Sequence, residues 1–142
     1  MSTVLTRTLS TTARMAAAAG VTMMVASALH RGSPWAGINA MTRAVEPHRR
    51  TPRKFVSNRT ALGFAVLTVG LGATTAFYEA ALARAPHRRG MVSGALLAFT
   101  GYAIDRWLLP RQLLRDFDRT MGPVGTFAKY ASLALAATAP AR

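Results

Sequence analysis

Four long apolar stretches alternate with short, polar, arginine-rich segments along the 142-residue chain. The first covers residues 15–29, fifteen positions without a charge. The second covers residues 61–78, eighteen uncharged positions, and continues past Glu79 to Ala83. The third covers residues 90–104 and reaches Leu109 if Asp105 and Arg106 sit at an interface; the fourth covers residues 120–141, broken only by Lys129. A helix that crosses a bilayer needs roughly 20 predominantly apolar residues, with a range of about 17–25. The second stretch meets this outright, and the third and fourth meet it if their charged ends snorkel to the headgroups. None shows the strict alternation of a barrel strand, and each exceeds such a strand's ~10 residues. The pattern predicts an all-α membrane protein, a small bundle of about four transmembrane helices in a single domain, 1–142, with spans near 15–31, 60–83, 90–109 and 120–139.

Short interfacial helices are expected between the spans. Ser33 is a plausible N-cap with Pro34 at the first helical position. Trp35, Ile38, Met41 and Val45 then fall on one face, with Asn39, Thr42, Arg43 and Glu46 polar. Farther on, Leu113, Leu114, Phe117 and Met121 oppose Arg111, Arg115, Asp116 and Arg119, an amphipathic pattern suited to the headgroup plane. Trp35 and Trp107 fall at ends of apolar stretches, where indole rings anchor at interfaces. Residues 46–59, rich in Pro, Arg and Thr, read as a polar loop.

The first stretch has rival readings. Arg7 and Arg14 precede it, and Ala26-Ser27-Ala28 has the form of a cleavage site, the layout of a secretory signal peptide. The acid-free Ser/Thr/Arg-rich start also resembles a mitochondrial presequence. The membrane-like stretches that follow favour a retained first helix.

Charge sharpens the picture. The chain carries 18 Lys+Arg against 5 Asp+Glu, a formal charge of +13. Alone this would point to nucleic acid or an anionic membrane. But 51% of residues are hydrophobic and the mean hydropathy is +0.20, while the arginines gather between the apolar stretches, as they must if they stay outside hydrocarbon. The basic run His48-Arg49-Arg50-Thr51-Pro52-Arg53-Lys54 lacks interleaved aromatics. The expected partner is therefore a bilayer with anionic headgroups rather than nucleic acid, with a homo-oligomer or a membrane partner protein as further options. The absence of cysteine excludes disulfides and thiol chemistry.

Small residues recur four apart in three rows: Gly72, Ala76 and Ala80; Gly90, Gly94 and Ala98; Ala128, Ser132 and Ala136. Residues at that spacing share a helix face and let a second helix approach closely. Packing within the chain is the favoured reading, beside chance in alanine-rich helices and contact between copies.

Little else suggests chemistry. His30, His48 and His87 have no partner at metal-ligand spacing. Gly70-Leu71-Gly72 lacks the third glycine of a nucleotide turn. Asn58-Arg59-Thr60 is a bare glycosylation sequon. No metal, cofactor or enzymatic activity is expected. The candidate polar residues are Asn39, Glu79, Asp105, Arg106 and Lys129, because a charge near a helix centre costs about 2.5–3.5 kcal/mol on insertion scales. If the second and third spans are antiparallel neighbours, Glu79 lies near the turn at 84–90 and Asp105 a helix length away, roughly 20 Å at 1.5 Å per residue. Glu79 then belongs to the face near His87 and Arg89. Asn39 and Asp105-Arg106 share the opposite face, and Lys129 can reach only one of the two acids.

Three signatures together resemble a family of uncharacterised small bacterial inner-membrane proteins. Gly32-Ser33-Pro34-Trp35-Ala36-Gly37-Ile38-Asn39-Ala40 is similar to G-x-P-W-A-P-I-N-A. Tyr78-Glu79 falls late in the second span. Tyr102-Ala103-Ile104-Asp105, Pro110-Arg111 and Phe117-Asp118 are similar to Y-x-x-D-Y-x-x-x-P-x-R followed by G-F-E, and Tyr130-Ala131-Ser132-Leu133-Ala134 fits Y-A-x-L-A. Gly37 stands for a proline, Met41-Thr42-Arg43 for an S-H pair, Arg106 for an aromatic and Asp116 for a glycine. The resemblance implies a four-helix membrane protein and no activity.

The expected role is therefore structural or accessory in a bacterial inner membrane. The alternative is an oligomeric transporter or channel subunit whose polar path uses Glu79, Asp105 and Lys129. The segments flanking the middle spans on one side hold eleven Lys/Arg against six on the other, so the positive-inside rule puts both termini outside the cytoplasm.

Overall fold

The computed structural model describes residues 2–139, and no strand occurs among them. Helix α1 spans Ser2–Arg31, and α2 spans Trp35–Ala40 and tightens into a 3-10 turn at Met41–Ala44. Helix α3 spans Ser57–Arg84, a second 3-10 turn covers Pro86–Arg88, α4 spans Met91–Leu108, and α5 spans Arg111–Thr138. At 1.5 Å per residue these long helices run from about 27 Å for α4 to about 45 Å for α1. By length and composition α1 and α3 could each cross a membrane. The apolar runs of α4 and α5 are shortened by Asp105 and Arg106, and by Lys129 and a charged first half.

The long helices lie side by side in the order α3, α1, α5, α4. Helix α1 is antiparallel to both its neighbours: Thr11 meets Glu79 of α3 at its start, and Ala26 meets Gly125 of α5 near its end. Helices α4 and α5 are antiparallel, with Tyr102 edge-on to Tyr130 at 5.3 Å. Helices α3 and α4, joined by the short turn, barely touch. Helix α4 therefore packs on α5 and not on α3, against the expectation that the second and third apolar stretches are antiparallel neighbours.

The core is a ladder of five residues spaced four apart on α1, Thr11, Met15, Ala19, Met23 and Ser27, all essentially closed to solvent. Leu67, Leu71 and Tyr78 of α3, and Phe117, Met121 and Leu133 of α5, complete it.

Two features depart from the sequence expectation. Helix α2 does not lie amphipathically at a surface: Ala36, Gly37, Ile38, Asn39 and Ala40 are all buried, so it plugs one end of the bundle. Its neighbour Ser33 does not cap it, donating instead to the Arg53 carbonyl. The amphipathic segment and the last apolar stretch, in turn, form one bent helix. Gly122 has φ 67° and ψ 169°, and Pro123 follows. Proline disfavours an α conformation before it and offers no N–H, so the helix breaks there and restarts in a new direction.

The close helix contacts fall on glycines. A β-carbon on Gly94 would sit 2.6 Å from the Ala134 carbonyl oxygen, and one on Gly125 would sit 2.7 Å from Ala26 Cβ. One on Gly63 would strike the Ile38 backbone. In contrast, Ala76 and Ala80 face outward, Gly72 only brushes Thr12, and Gly90 has open space around it, where its N–H donates to Ser93 Oγ at 3.0 Å as α4 begins.

Candidate functional site

Polar side chains gather in two centres at opposite ends of the bundle. The first surrounds Glu79, which is 2% exposed. Thr11 Oγ1 donates to its Oε1 at 2.8 Å, and Arg89, arriving from the turn before α4, donates to Oε2. Arg14 adds a 3.2 Å hydrogen bond to Thr11 Oγ1 and a 2.8 Å bond to the Ala139 carbonyl, which ties α1 to the end of α5. The Tyr78 hydroxyl lies 3.1 Å from Ser93 Oγ. A buried carboxylate with a cation and a hydroxyl around it is compensated rather than exposed to hydrocarbon. Arg89 Nη1, and Thr12 Oγ1 on the neighbouring face of α1 towards Gly72, are buried without a hydrogen-bond partner among the described residues.

The second centre lies at the end where α1 stops and α2 is inserted. Lys129, 5% exposed, places Nζ 3.4 Å from Asp105 Oδ2, and the Tyr130 hydroxyl donates to the same oxygen. Lys129 Nζ also stands 4.7 Å from the ring centroids of Phe117 and Tyr130, so aromatic faces complete its surroundings. Arg106 forms a two-pronged pair with Asp118, at 2.9 and 3.1 Å, and stacks over Tyr102 at 5.2 Å. Arg43 pairs with Asp116 at 2.8 Å, fastening the 3-10 turn to the first half of α5.

Asn39 is at this same end, yet it is fully buried. Its Nδ2 donates to the carbonyls of Pro52 and Lys54, each at 2.9 Å, and its Oδ1 accepts from Thr60 Oγ1 at 2.9 Å. With every hydrogen-bonding group of its carboxamide occupied, Asn39 acts as a staple for the loop at 46–59. Trp35 supports that loop by packing edge-on to Phe55 at 4.9 Å. Trp107 is 88% exposed, projecting from the end of α4.

Glu79 and Asp105 are thus at opposite ends, and Lys129 pairs with Asp105. Thr11, Arg89, Tyr130 and Asp118 complete the two centres and escaped prediction as site residues. Thr11 was accessible in principle, because it heads the ladder of every fourth residue that ends at Ser27. The pairing of Asp118 with Arg106, twelve residues away, gave no local signal.

Between the centres lie Met15, Ala19, Leu67, Leu71 and Leu133, a mostly apolar layer in which the Thr75 hydroxyl is turned back to the Leu71 carbonyl at 2.7 Å. Among the described residues no group of three His, Asp or Glu side chains gathers as a metal set would. Beside the second centre, a groove of about 630 Å³ runs between α4 and the second half of α5. Set against protein-family models, curated proteins and solved structures, the chain matches none of them.

Proposed function

We propose that this chain is a four-span protein of a bacterial inner membrane with a structural or accessory role. The observation that carries the reading is an apolar exterior on the long helices around an interior that also buries polar side chains. The interior holds Thr11, Ser27, Asn39, Thr75, Glu79 and Lys129, while Val21, Val69, Phe77, Val92, Phe99 and Phe127 face outward. A water-soluble bundle places its polar stripe outside, and helices apolar all round need an apolar surrounding. Lipid supplies it, and the buried polar groups then serve as interhelical hydrogen bonds. The short α4 and the restarted half of α5, about 27 and 24 Å long, approach the ~30 Å hydrocarbon thickness. Helix α1 supplies the core ladder, which favours its retention over cleavage after Ala28. The three signatures beginning at Gly32, which resemble those of a family of small inner-membrane proteins, fit the same reading.

The end bearing α2, the 46–59 loop and the first half of α5 faces the cytoplasm in this reading, following the excess of basic residues. The transporter or channel alternative has weaker support, because a mostly apolar layer separates Glu79 from Asp105. Membrane fractionation tests the proposal. The protein is expected to stay with membranes through high-salt and alkaline washes and to enter solution only with detergent. Recovery in the aqueous fraction would overturn it.

A further inference from the structure

The first half of α5 carries a basic concavity of about 470 Å³, lined by Arg106, Arg111, Leu114, Arg115, Asp118 and Arg119. Its one acidic lining residue, Asp118, is already engaged by Arg106. The side chains of Arg111, Arg115 and Arg119 have no ion pair or hydrogen bond among the described residues; only the Arg119 carbonyl is used, by Arg31 at 2.7 Å. Arg106 and Asp118 also line the top of the groove between α4 and the second half of α5. That groove is walled by Ala95, Ala98, Phe99, Phe127 and Ala131. From Ala95 to Arg106 it follows α4 for about 16 Å, close to half of the ~30 Å hydrocarbon core. A basic rim therefore opens directly onto an apolar trough one leaflet deep.

We propose that this combined site seats one anionic diacyl phospholipid, its phosphate at Arg111, Arg115 and Arg119 and one acyl chain in the α4–α5 groove. The seat rests on the membrane reading. Charge complementarity selects the occupant. A second copy of this chain would bring its own +13 charge to a cationic rim. A zwitterionic lipid would bring an ammonium group to guanidinium groups that lack a counter-charge. A free phosphate would satisfy the rim and leave the apolar trough unused. Guanidinium groups suit phosphate oxygens because their fork of donors can bind two at once.

Native mass spectrometry of the full chain in detergent, titrated with dioleoyl phosphatidylglycerol or dioleoyl phosphatidylcholine, tests the seat. Wild type is expected to retain the anionic lipid at least about tenfold better, and each of Arg111→Gln, Arg115→Gln and Arg119→Gln to lower that retention about fivefold. The triple control Arg49→Gln, Arg50→Gln and Arg53→Gln, in the 46–59 loop at the same end of the bundle but outside the lining of the seat, leaves retention unchanged. Ala95→Trp, which fills the groove, weakens retention of the dioleoyl lipid but not of dihexanoyl phosphatidylglycerol. Equal retention of the two dioleoyl lipids, equal loss in the loop control, or no effect of Ala95→Trp would overturn the seat. A protein that needs detergent yet shows no anionic preference sinks this inference alone, whereas one recovered in water without detergent sinks the membrane reading beneath it.

Discussion

Thr11 of α1 and Glu79 of α3, 68 positions apart in the chain, share a buried 2.8 Å hydrogen bond. Arg89 closes on the same carboxylate, so one charge gathers α1, α3 and the turn before α4. Glu79→Ala leaves Arg89 without its counter-charge and is expected to cost about 3 kcal/mol, read as a lower thermal unfolding midpoint in detergent. Combined with Arg89→Gln, the double variant should lose at least about 1 kcal/mol less than the sum of the singles. Strict additivity would show that the two residues are not coupled.

Gly94 and Gly101 lie on the same helix and should respond in opposite directions. Gly94→Val drives a side chain into Ala134 and Thr138 and is expected to destabilise by about 1–3 kcal/mol, prising α4 from α5. Gly101 has open space around it, so Gly101→Ala should gain up to about 1 kcal/mol of helix propensity. Matching thermal shifts for the two would contradict the packing described.

Asn39 fixes a loop that is otherwise polar and exposed. Asn39→Ala leaves the carbonyls of Pro52 and Lys54 and the hydroxyl of Thr60 without their partner, at a cost of about 1–3 kcal/mol. Limited trypsinolysis should then cut faster at Arg49, Arg50 and Arg53, while cleavage at Arg84 and Arg88 keeps its wild-type rate. Unchanged loop cleavage would remove the stapling role.

At Gly122 a positive φ meets the His30 ring, which would lie 3.3 Å from an added β-carbon. Gly122→Ala is therefore strained in backbone and in space, with an expected cost of about 1–2 kcal/mol. His30→Ala relieves only the spatial part, so combining it should recover some of the loss. Full wild-type stability of Gly122→Ala would mean that the bend does not need a glycine.

Topology can be read with reporters. A cytoplasm-dependent fluorescent fusion after Arg142 is expected to be dark, while one inserted between His48 and Arg49 should be bright. The reverse pattern would invert the orientation and put the arginines of α5 at the outer leaflet.

The helical character and the limits of α3 and α4 were legible because charge interrupts apolar runs so sharply, whereas α1 starts at Ser2 and α5 at Arg111, because arginines that end an apolar run do not end a helix. Which face of each helix packs was not. Where both faces are apolar, periodicity carries no inside–outside information, and rows of small residues then mark only what could pack. Ala76 and Ala80 satisfy the spacing and face outward, while Gly63 and Gly125 lie in no such row and make close contacts. Asn39 read as a surface residue because its partners are main-chain carbonyls thirteen and fifteen positions away, and no side-chain pattern announces them. The separation of Glu79 from Asp105 was legible from helix length together with an expected antiparallel pairing of the second and third stretches; the length of α4 does separate them, although α4 packs on α5 and not on α3. The bend at Gly122 was written in the Gly-Pro pair, but a pair of that kind also suits a simple break between two helices.

The row order α3, α1, α5, α4 has a consequence for biosynthesis. Helix α1 is made first, yet one whole flank of it is covered by α5, and Arg14 reaches the Ala139 carbonyl 125 positions later. At translation rates of about 5–20 residues per second, roughly 3–11 s separate completion of α3 from completion of α5. During that interval α1 is sheltered on one side only, and α4 has emerged with no neighbour of its own. The bundle is complete only once α5 has packed, so chains that lack this helix would leave two separate unsheltered surfaces, on α1 and on α4, for cellular quality control to recognise.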